Sequence, residues 1–375
     1  MKKIPCKKSE LNLLYSLTGG QCFRWHKTDE EKWTGIFAHR VWTLSQDANF
    51  LYYEVFGSSV SDSHTVNTSE EEKKTRKTER RRKGCSAAKS VKLSSAGETI
   101  TGKDQQENHI NTLMFSESDA ENVRLLRNYF RLDDLSLEDY YKVWSQNDPH
   151  FQEAAVKFQG VRILAQDPVE NLFSFICSSN NNISRISSMV EKLCAQYGKK
   201  LTDVNGTSYH EFPEVVSLTH PSVENNLRKL GFGYRAKFIH QSACMIEKLG
   251  GSDWLYKLRN LPYAEAKAEL IQLPGIGAKV ADCICLMSLN HLESIPVDTH
   301  IFQVAVQRYL PHLKNCKSVT DRVYNEIGDY FRKLYGDYAG WAHTVIFCAD
   351  LKMFQTNSTQ ESSNKPKARK RKIPS

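Results

Sequence analysis

Long apolar runs are missing from this sequence of 375 residues. No stretch approaches the roughly 18 consecutive apolar residues that a membrane-spanning helix needs. The N-terminal segment also lacks the continuous apolar core of a secretory leader. None of the ten cysteines forms a C-x-x-C pair, so the ligand spacing of zinc and iron–sulfur sites is absent. We therefore predict an intracellular protein with reduced thiols, no metal, no cofactor and no membrane association.

Positive charge is in excess, with a formal net charge of +8, but little of it belongs to the body of the chain. Residues 57–121 hold 11 basic and 11 acidic side chains and therefore contribute nothing. The segment 356–375 carries six basic residues against Glu361, which leaves about +3 for the remainder. Net charge alone does not identify a nucleic-acid partner, and function has to be inferred from individual sites.

Three kinds of sequence follow one another along the chain. Aromatic and β-branched residues broken by polar turns predict a small antiparallel sheet in 20–56. Residues 57–115 are polar and charged and bury too little apolar surface to offset the entropy of ordering, so we expect a disordered insertion. From about 118 onward, amphipathic and apolar helical patterns alternate with short turns.

The predicted fold class is α+β, with an N-terminal antiparallel β-sheet domain packed on a mostly α-helical domain. The expected divisions are a sheet domain at 1–56 plus 116–133, the insertion at 57–115, a helical domain at 134–355 and a basic disordered tail at 356–375. The basic run at 73–83 indicates a nuclear-import signal or a phosphate-binding patch, although a solvated linker explains it at least as well, and the tail resembles a nuclear-import signal. The expected location is the nucleus, with the mitochondrion as an additional one.

The stretch "LPGIG" at 273–277 lies between two helical patterns and predicts a tight turn. Pro274 ends the first helix, while Gly275 and Gly277 permit backbone angles closed to other residues. The second helix starts at once, so its first N–H groups point outward and favour a phosphate. A Walker loop is excluded, and a dinucleotide fingerprint is disfavoured because Val280 stands at the third glycine position. A phosphate site and a plain helix–helix turn both remain open.

Two side chains near this turn are candidates for chemistry. Lys279 lies in the first turn of the second helix, on the same face as Cys283. The helix dipole and partial burial both disfavour its ammonium form, and only the neutral amine is a nucleophile. The alternative is a lysine that reaches solvent or binds a phosphate. Asp298 is predicted to cap the next helix, a position that also leaves a rigid, ionised carboxylate to stabilise positive charge.

Five sequence blocks in order resemble the eukaryotic 8-oxoguanine DNA glycosylase/lyase family, within the helix–hairpin–helix DNA glycosylase superfamily. A lysine two residues past the second glycine, and an aspartate 19 residues after that lysine, belong to the same resemblance. The blocks are "GGQCFRW" (19–25), "FSFICSSNNNISRI" (173–186), "LGFGYRAKFI" (230–239), "LPGIGAKVADCICLM" (273–287) and "YAGWAHTVIFCADL" (338–351). The resemblance covers nearly everything except 57–115 and the tail.

The resemblance implies a three-part fold, in which the N-terminal sheet domain packs on two helical subdomains and the site lies between them. It also implies a monomeric, bifunctional glycosylase and AP lyase whose partner is double-stranded DNA containing oxidised guanine. Lys279 is implied to attack the sugar C1′, form a Schiff base and cleave the strand by β-elimination, while Asp298 stabilises the cationic sugar. The implied substrates are 8-oxoguanine opposite cytosine and formamidopyrimidine. Protein partners in repair stay unassigned.

DNA-contacting roles are implied for a first group of residues, because a flipped-out base leaves a gap in the duplex. Asn180, Arg185 and Arg235 are implied to contact the orphaned cytosine, and Tyr234 to wedge into the stack. Outside the family, the asparagines at 180–182 indicate an ordinary helix-end turn. The hairpin and the helix after it supply further implied contacts at Gly275, Gly277 and Val280, and His300, beyond that helix, is implied to contact a phosphate near the lesion. For His300, a packing role is the alternative.

Base recognition is implied for a second group. The backbone carbonyl of Gly20 is implied to accept the N7–H that oxidised guanine has and guanine lacks. Cys283 and Phe347 are implied to sandwich the base, with core packing as the alternative for both. Pro296 and Asp298 are implied to contact the base as well.

His343 departs from the family, which commonly has glutamine at the Watson–Crick edge of the flipped base. A neutral imidazole offers one donor and one acceptor, as glutamine does, but on a ring of different reach. Histidine titrates at about pH 6.5 when unperturbed. We therefore expect base binding between about pH 5.5 and 8 to depend on pH more strongly than it does with glutamine.

Two rival functions share part of these features. An endonuclease III-like enzyme for oxidised pyrimidines has the hairpin, the lysine and the aspartate, but usually carries a C-terminal cluster of four cysteines. Only Cys316 and Cys348 follow Asp298 here. A non-enzymatic module that binds duplex DNA needs neither Lys279 nor Asp298, and trapping of a covalent adduct separates it from an enzyme.

Overall fold

The computed structural model describes residues 1–29, 31–57, 117–351 and 354. Apart from Gly57, the predicted insertion at 57–115 lies outside the described residues, and so does the predicted tail at 356–375. No helix among the residues described is both long enough and apolar enough to cross a bilayer.

Two antiparallel sheets are present in the described part of the chain. The larger sheet has five strands in the order β1-β5-β4-β3-β2, and the smaller is a two-stranded hairpin. The strands are β1 Lys2–Pro5, β2 His26–Asp29, β3 Lys32–Phe37, β4 Arg40–Gln46, β5 Phe50–Phe56, β6 Lys200–Val204 and β7 Thr207–His210. Along β4, residues with even and odd numbers point to opposite faces, and Trp42 and Leu44 are fully buried on one of them.

Helices make up most of the remaining described chain. They are α1 Leu13–Thr18, α2 Glu117–Tyr129, α3 Leu137–Asn147, α4 Pro149–Lys157, α5 Pro168–Ser178, α6 Ile183–Tyr197, α7 Val223–Lys229, α8 Arg235–Leu249, α9 Ser252–Lys257, α10 Tyr263–Ile271, α11 Ala278–Ser288, α12 Thr299–Val304, α13 Asp321–Tyr335 and α14 Ala339–Asp350. Side-chain caps set several starts: Asp167 accepts two N–H groups at the start of α5, where Pro168 supplies the first residue.

The apolar side chains form two cores. One lies between the large sheet and α2 and includes Trp42, Tyr53, Leu126 and Phe130. The other fills the space among the helices, and α5, α11 and α14 are buried in it on nearly all sides. Helices that are apolar on all sides lie at the centre of a helical domain, because they have no polar face to expose to water.

Buried polar side chains join the two parts. The Arg162 side chain donates from Nε to the Glu10 carbonyl at 2.6 Å and from Nη1 to the Arg131 carbonyl at 2.7 Å. Gln21 accepts the Leu164 N–H at 3.1 Å and donates to the Arg162 carbonyl at 2.8 Å. The N-terminal segment around Gly20 is therefore fixed against the chain that leads into α5.

The predicted α+β class is confirmed, and the strands within 20–56 and the helices from 118 onward form as expected. The pattern did not predict β1, which exists because Lys2–Pro5 pairs with β5 some fifty residues away. It also missed the β6–β7 hairpin. There Asn205 and Gly206 both have positive φ, 51° and 79°, as a two-residue hairpin turn requires.

Candidate active site

The turn between α10 and α11 is held tightly against α8. Gly275 has φ +82°, and a Cβ atom there would lie 2.7 Å from Cγ of Phe238, so only glycine fits. The Ser242 hydroxyl donates to the Pro274 carbonyl at 2.8 Å. These contacts fix the direction in which α11 begins.

The N-terminus of α11 has no side-chain cap. Gly277 precedes the helix in an extended conformation, with no side-chain cap and open space around its Cα. Ala281 is the first residue whose N–H closes onto the helix, at 2.9 Å from the Gly277 carbonyl. The N–H groups of Ala278, Lys279 and Val280 therefore lack intrahelical partners. With the helix dipole, they form a site that favours an anion such as a phosphate.

Lys279 projects from this first turn and is half-buried. Its Nζ lies 5.1 Å from the ring centroid of Phe175 on α5, a cation–π distance. One turn later, Cys283 is 2 % exposed and lies within the electrostatic influence of Lys279. Burial raises the pKa of Cys283 to about 11, although the neighbouring Lys279 charge acts to lower it. At neutral pH the free protein therefore carries a thiol beside the lysine.

Asp298 caps α12 as predicted, since its Oδ1 accepts the Ile301 N–H at 2.9 Å. Its charge also acts on Cys283 and His343. It raises the pKa of both groups, which adds to the effect of burial at Cys283 and opposes the larger effect of burial at His343. The Lys279 charge lowers the pKa of the same two groups. One site thus contains a lysine, a carboxylate, a thiol and an imidazole.

His343 on α14 is buried among these groups, with 4 % of its surface exposed. Pro296, itself buried, presents its carbonyl towards the imidazole, but neither ring nitrogen completes a hydrogen bond of normal geometry within the described residues. Burial lowers the pKa of His343 to about 4. The expectation of a titration near neutral pH is therefore wrong for the free protein: the ring stays neutral between about pH 5.5 and 8.

Phe347 lies one turn after His343 and is half-buried. Gly20, with φ +80°, lies against its ring: a Cβ on Gly20 would lie 4.0 Å from Cε1 of Phe347 and 3.9 Å from Cδ1 of Ile183. On the other side, the His300 ring meets Phe347 edge-on at 6.3 Å, while its Nδ1 lies 3.2 Å from Asp350 Oδ2. The structure thus brings Gly20, Phe347 and His300 together.

The residues predicted to contact the orphaned base lie around the turn before α6. Asn180 is exposed, with φ +47°, and Arg185 is exposed in the first turn of α6. Tyr234 is 47 % exposed and donates its hydroxyl to the Ser179 carbonyl at 3.0 Å.

Arg235 differs from the other members of this group. It is 3 % exposed, and its Nη2 donates to the carbonyls of Ser179 and Asn180, the latter at 3.0 Å. In the free protein, the hydrogen bonds of Arg235 therefore hold this turn in place. A contact between its guanidinium and a nucleobase requires these hydrogen bonds to loosen.

Sequence reasoning missed two residues next to the lysine. Phe175 faces the Lys279 ammonium group, and its helical pattern indicated only core packing. Asp282 is fully buried on α11 between Lys279 and Cys283 in sequence. The one sequence signal for Asp282 was a carboxylate inside an otherwise apolar helix, which needs partners wherever it is buried.

Across the residues that the structure describes, no group of three or more His, Cys, Asp or Glu side chains is arranged to hold a metal ion.

Two protein families match consecutive parts of the chain. Residues 173–327 match the HhH-GPD superfamily of base excision DNA repair proteins, which is the class that the hairpin, lysine and aspartate define. Residues 3–172 match the 8-oxoguanine DNA glycosylase N-terminal domain. The chain belongs to the 8-oxoguanine DNA glycosylase family of that superfamily.

Two relatives give the same family. The chain is 44 % identical to the N-glycosylase/DNA lyase OGG1 of Arabidopsis thaliana over 58 % of its own length and 60 % of the relative's. It is 40 % identical to the N-glycosylase/DNA lyase of Saccharomyces cerevisiae over 62 % of its own length and 67 % of the relative's. The match thus spans about three fifths to two thirds of these relatives.

A solved structure shows the same fold. It is the Clostridium acetobutylicum 8-oxoguanine glycosylase/lyase in complex with double-stranded DNA containing cytosine opposite 8-oxoguanine. The TM-score is 0.66, the identity is 23 %, and the match covers 93 % of each chain. At this identity the similarity establishes the architecture of a sheet domain and a hairpin-bearing helical domain.

Proposed function

We propose that this protein is a bifunctional DNA glycosylase and AP lyase that excises 8-oxoguanine, and also formamidopyrimidine, opposite cytosine. The observation that supports this most directly is the grouping of Lys279, Cys283, Asp298 and His343 beside the bare N-terminus of α11. A hairpin that only binds DNA has no use for a lysine and a carboxylate held in one half-buried site. The relatives named as N-glycosylase/DNA lyases support the same reaction.

Lys279 is the proposed nucleophile. Once it has lost its proton, the Nζ lone pair forms a bond to the sugar C1′, and the electron pair of the glycosidic bond leaves with the base, which takes up a proton. Loss of a proton from nitrogen and opening of the sugar ring give a Schiff base. Removal of a C2′ proton then expels the 3′ phosphate by β-elimination. The Asp298 carboxylate stabilises the positive charge that develops on the sugar, and as a cap it is rigid before the reaction.

The target base has to leave the duplex, because C1′ is inaccessible while the base is stacked; extrusion costs roughly a few kcal/mol. The unpaired N–H groups at Lys279 and Val280, with the open backbone at Gly277, are suited to hold a phosphate beside the lesion. The exposed ring of Tyr234 is suited to fill the gap that the base leaves. Asn180 and Arg185 are proposed to contact the orphaned cytosine.

Base recognition is assigned to the group around Phe347. The Gly20 carbonyl is proposed to accept the N7–H of the oxidised base, which lies between Phe347 and the Cys283 thiol. His343 enters this group as a neutral ring with one donor and one acceptor, and neither nitrogen has a hydrogen bond of normal geometry within the described part of the chain. A base edge that satisfies both nitrogens relieves the cost of two buried, unpaired polar atoms. We also propose a nuclear location, with a mitochondrial fraction, and a monomeric state.

Borohydride trapping on lesion-containing duplexes tests the function. The protein is expected to form a covalent adduct with a duplex holding 8-oxoguanine opposite cytosine, because borohydride reduces the Schiff base at Lys279. Lys279→Gln is expected to abolish the adduct and strand cleavage while retaining affinity for the duplex. The matched control is Lys237→Gln, an exposed lysine on α8.

The substrate panel separates the rival functions. It contains 8-oxoguanine opposite each of the four bases, a formamidopyrimidine and thymine glycol. Preferred release of thymine glycol would favour the endonuclease III-like reaction. An adduct that survives Lys279→Gln would remove this lysine from the role of nucleophile.

A further inference from the structure

Asp282 is fully buried at the centre of a polar cluster that takes no part in the proposed chemistry. Its carboxylate is 0 % exposed and receives hydrogen bonds from three different parts of the chain. Tyr263 donates to Oδ1 at 2.7 Å and Ser294 donates to the same oxygen at 3.0 Å. Lys267 donates to Oδ2 at 2.8 Å, and the Tyr324 hydroxyl donates to Oδ2 as well.

A cationic partner offsets the cost of burying the Asp282 carboxylate. Lys267 on α10 has a side chain that is only 16 % exposed, and its Nζ faces the rings of Tyr324 and Tyr263. A buried carboxylate with a cationic partner and further donors has its solvation replaced by the protein. The charge of Asp282 is therefore balanced within the cluster. The function of the cluster follows from the parts of the chain that it connects.

One of its members reaches the segment that bears Asp298. The Tyr324 hydroxyl gives its single proton to Asp282, so its lone pair is free to accept the Val297 N–H, at 3.3 Å. Val297 directly precedes Asp298. Two hydrogen bonds thus run from Val297 through Tyr324 to a carboxylate on α11, the helix that carries Lys279.

The segment needs such a connection, because residues 294–298 belong to no helix or strand. Backbone hydrogen bonds are found at its two ends, from Ser294 N–H to the His291 carbonyl and from Phe302 N–H to the Asp298 carbonyl, so the residues between them rely on contacts with side chains. Ser294 anchors one end to Asp282, through both its carboxylate and its carbonyl oxygen at 3.0 Å. Tyr324 anchors the other end next to Asp298.

We infer that Tyr324 and Asp282 are positioning residues, which hold the Asp298-bearing segment in fixed register with the helix that carries Lys279. The inference rests on the proposed function for its catalytic consequence. Neither side chain touches the reacting atoms. Displacement of a catalytic group by about 1 Å costs roughly a hundredfold in rate, so a single hydroxyl at this junction has a measurable effect.

Two tyrosine substitutions separate positioning from mere stability. Tyr324→Phe removes the hydroxyl that joins Asp282 to Val297. Tyr263→Phe also removes one hydroxyl from Asp282, on the Oδ1 side that it shares with the Ser294 hydroxyl, but among the described residues that hydroxyl makes no hydrogen bond to Val297. Both variants should lose similar stability, because each loses one hydrogen bond to the Asp282 carboxylate.

We expect Tyr324→Phe to slow single-turnover base release roughly ten- to a hundredfold. The dissociation constant for lesion-containing duplex should stay within about twofold, because the DNA-facing residues are unchanged. Tyr263→Phe should release base at the rate of the unsubstituted protein. Equal rates for the two variants, or a Tyr324→Phe enzyme as fast as the original, would overturn the inference.

Hydrogen exchange gives a readout that does not depend on activity. In the free, full-length protein, Tyr324→Phe should speed amide exchange at Val297 and in the first turn of α12, while Tyr263→Phe should leave both unchanged. Unaltered exchange in Tyr324→Phe would overturn the positioning role. If the original protein released no base from any duplex, the proposed function would fail, and the exchange experiment would still decide whether Tyr324 fixes the segment.

Discussion

At the scale of single residues, Asp298 combines two roles in one carboxylate. One oxygen, Oδ1, accepts the Ile301 N–H and holds the side chain in place. The charge as a whole acts on Cys283 and His343, so it faces the group that surrounds Lys279. A cap is suited to electrostatic catalysis because its orientation is already determined before the substrate binds.

His343 provides a prediction at this scale. Its pKa is about 4 when folded, below the value of about 6.5 expected when unfolded. Between these values the unfolded chain binds the extra proton, so the free energy of unfolding falls as the pH drops from about 6.5 to 4. The loss amounts to roughly 3 kcal/mol and is complete below about pH 4.

Replacement by glutamine removes that share of the acid sensitivity. Urea unfolding of His343→Gln and of the original protein between pH 4.5 and 7 should show that the original loses stability more steeply than the variant as the pH falls. His39→Gln, at an exposed surface position, serves as the control and should change little. Excision profiles of the original and His343→Gln should have the same shape from pH 5.5 to 8. A difference in shape over that range would show that the imidazole becomes protonated in the DNA complex.

At the scale of elements, the α10–α11 hairpin depends on two glycines for different reasons. Gly275 has a positive φ and touches Phe238, whereas Gly277 is extended and has nothing within 4 Å of a built Cβ. Only the first therefore requires glycine for folding. The second leaves the approach to the helix N-terminus open.

Alanine substitutions test this division. Gly275→Ala should lower the free energy of unfolding by about 1–3 kcal/mol, because the backbone is left-handed and the new methyl group overlaps the Phe238 ring. Gly277→Ala should leave stability within about 0.5 kcal/mol, since its backbone is one that any residue adopts. Thermal and urea unfolding measure both. Equal losses in the two variants would contradict the assignment of different roles.

Local sequence signals predicted these elements well but left the supporting contacts out. The "LPGIG" turn, Lys279 and the Asp298 cap follow from proline, glycine and capping chemistry within a few residues of each other. Asp282 has partners on α10 and α13 and at Ser294, so no local pattern predicts them. The β1 strand is likewise defined by its pairing with β5 and not by its own four residues. The buried state of Arg235 could not be read from "GYR" either, because Ser179 and Asn180, which it supports, lie some 55 residues earlier.

At the scale of the whole molecule, the candidate site draws on both cores. Lys279, Asp298 and His343 belong to the helical part, whereas Gly20 comes from the N-terminal segment. Next to Gly20, Gln21 is 1 % exposed and makes three hydrogen bonds to the chain before α5. Its side chain bonds to Arg162 and Leu164, and its carbonyl accepts from the Gln166 side chain at 3.0 Å. We therefore expect Gln21 to set where Gly20 lies relative to Phe347.

Gln21→Met is the test of this connection. The substitution keeps the length of the side chain but removes its donor and acceptor, and the Arg162 carbonyl and Leu164 N–H are left buried and unpaired. The cost should be about 1–3 kcal/mol for each unpaired group, with an upper total of several kcal/mol. Gln152→Met, at an exposed position on α4, is the matched control and should be neutral.

The functional consequence of Gln21→Met should be selective. If the Gly20 carbonyl reads the N7–H of the oxidised base, then a displaced Gly20 lowers the ratio of excision at 8-oxoguanine to excision at guanine, both opposite cytosine. The Schiff base at Lys279 should still form on a duplex that already contains an abasic site, because the hairpin and Asp298 lie in the other core. Single-turnover rates on the three duplexes measure this. A variant that keeps full discrimination while losing stability would show that Gln21 joins the two cores without placing Gly20, and a variant that also fails on the abasic duplex would show that the whole site depends on this junction.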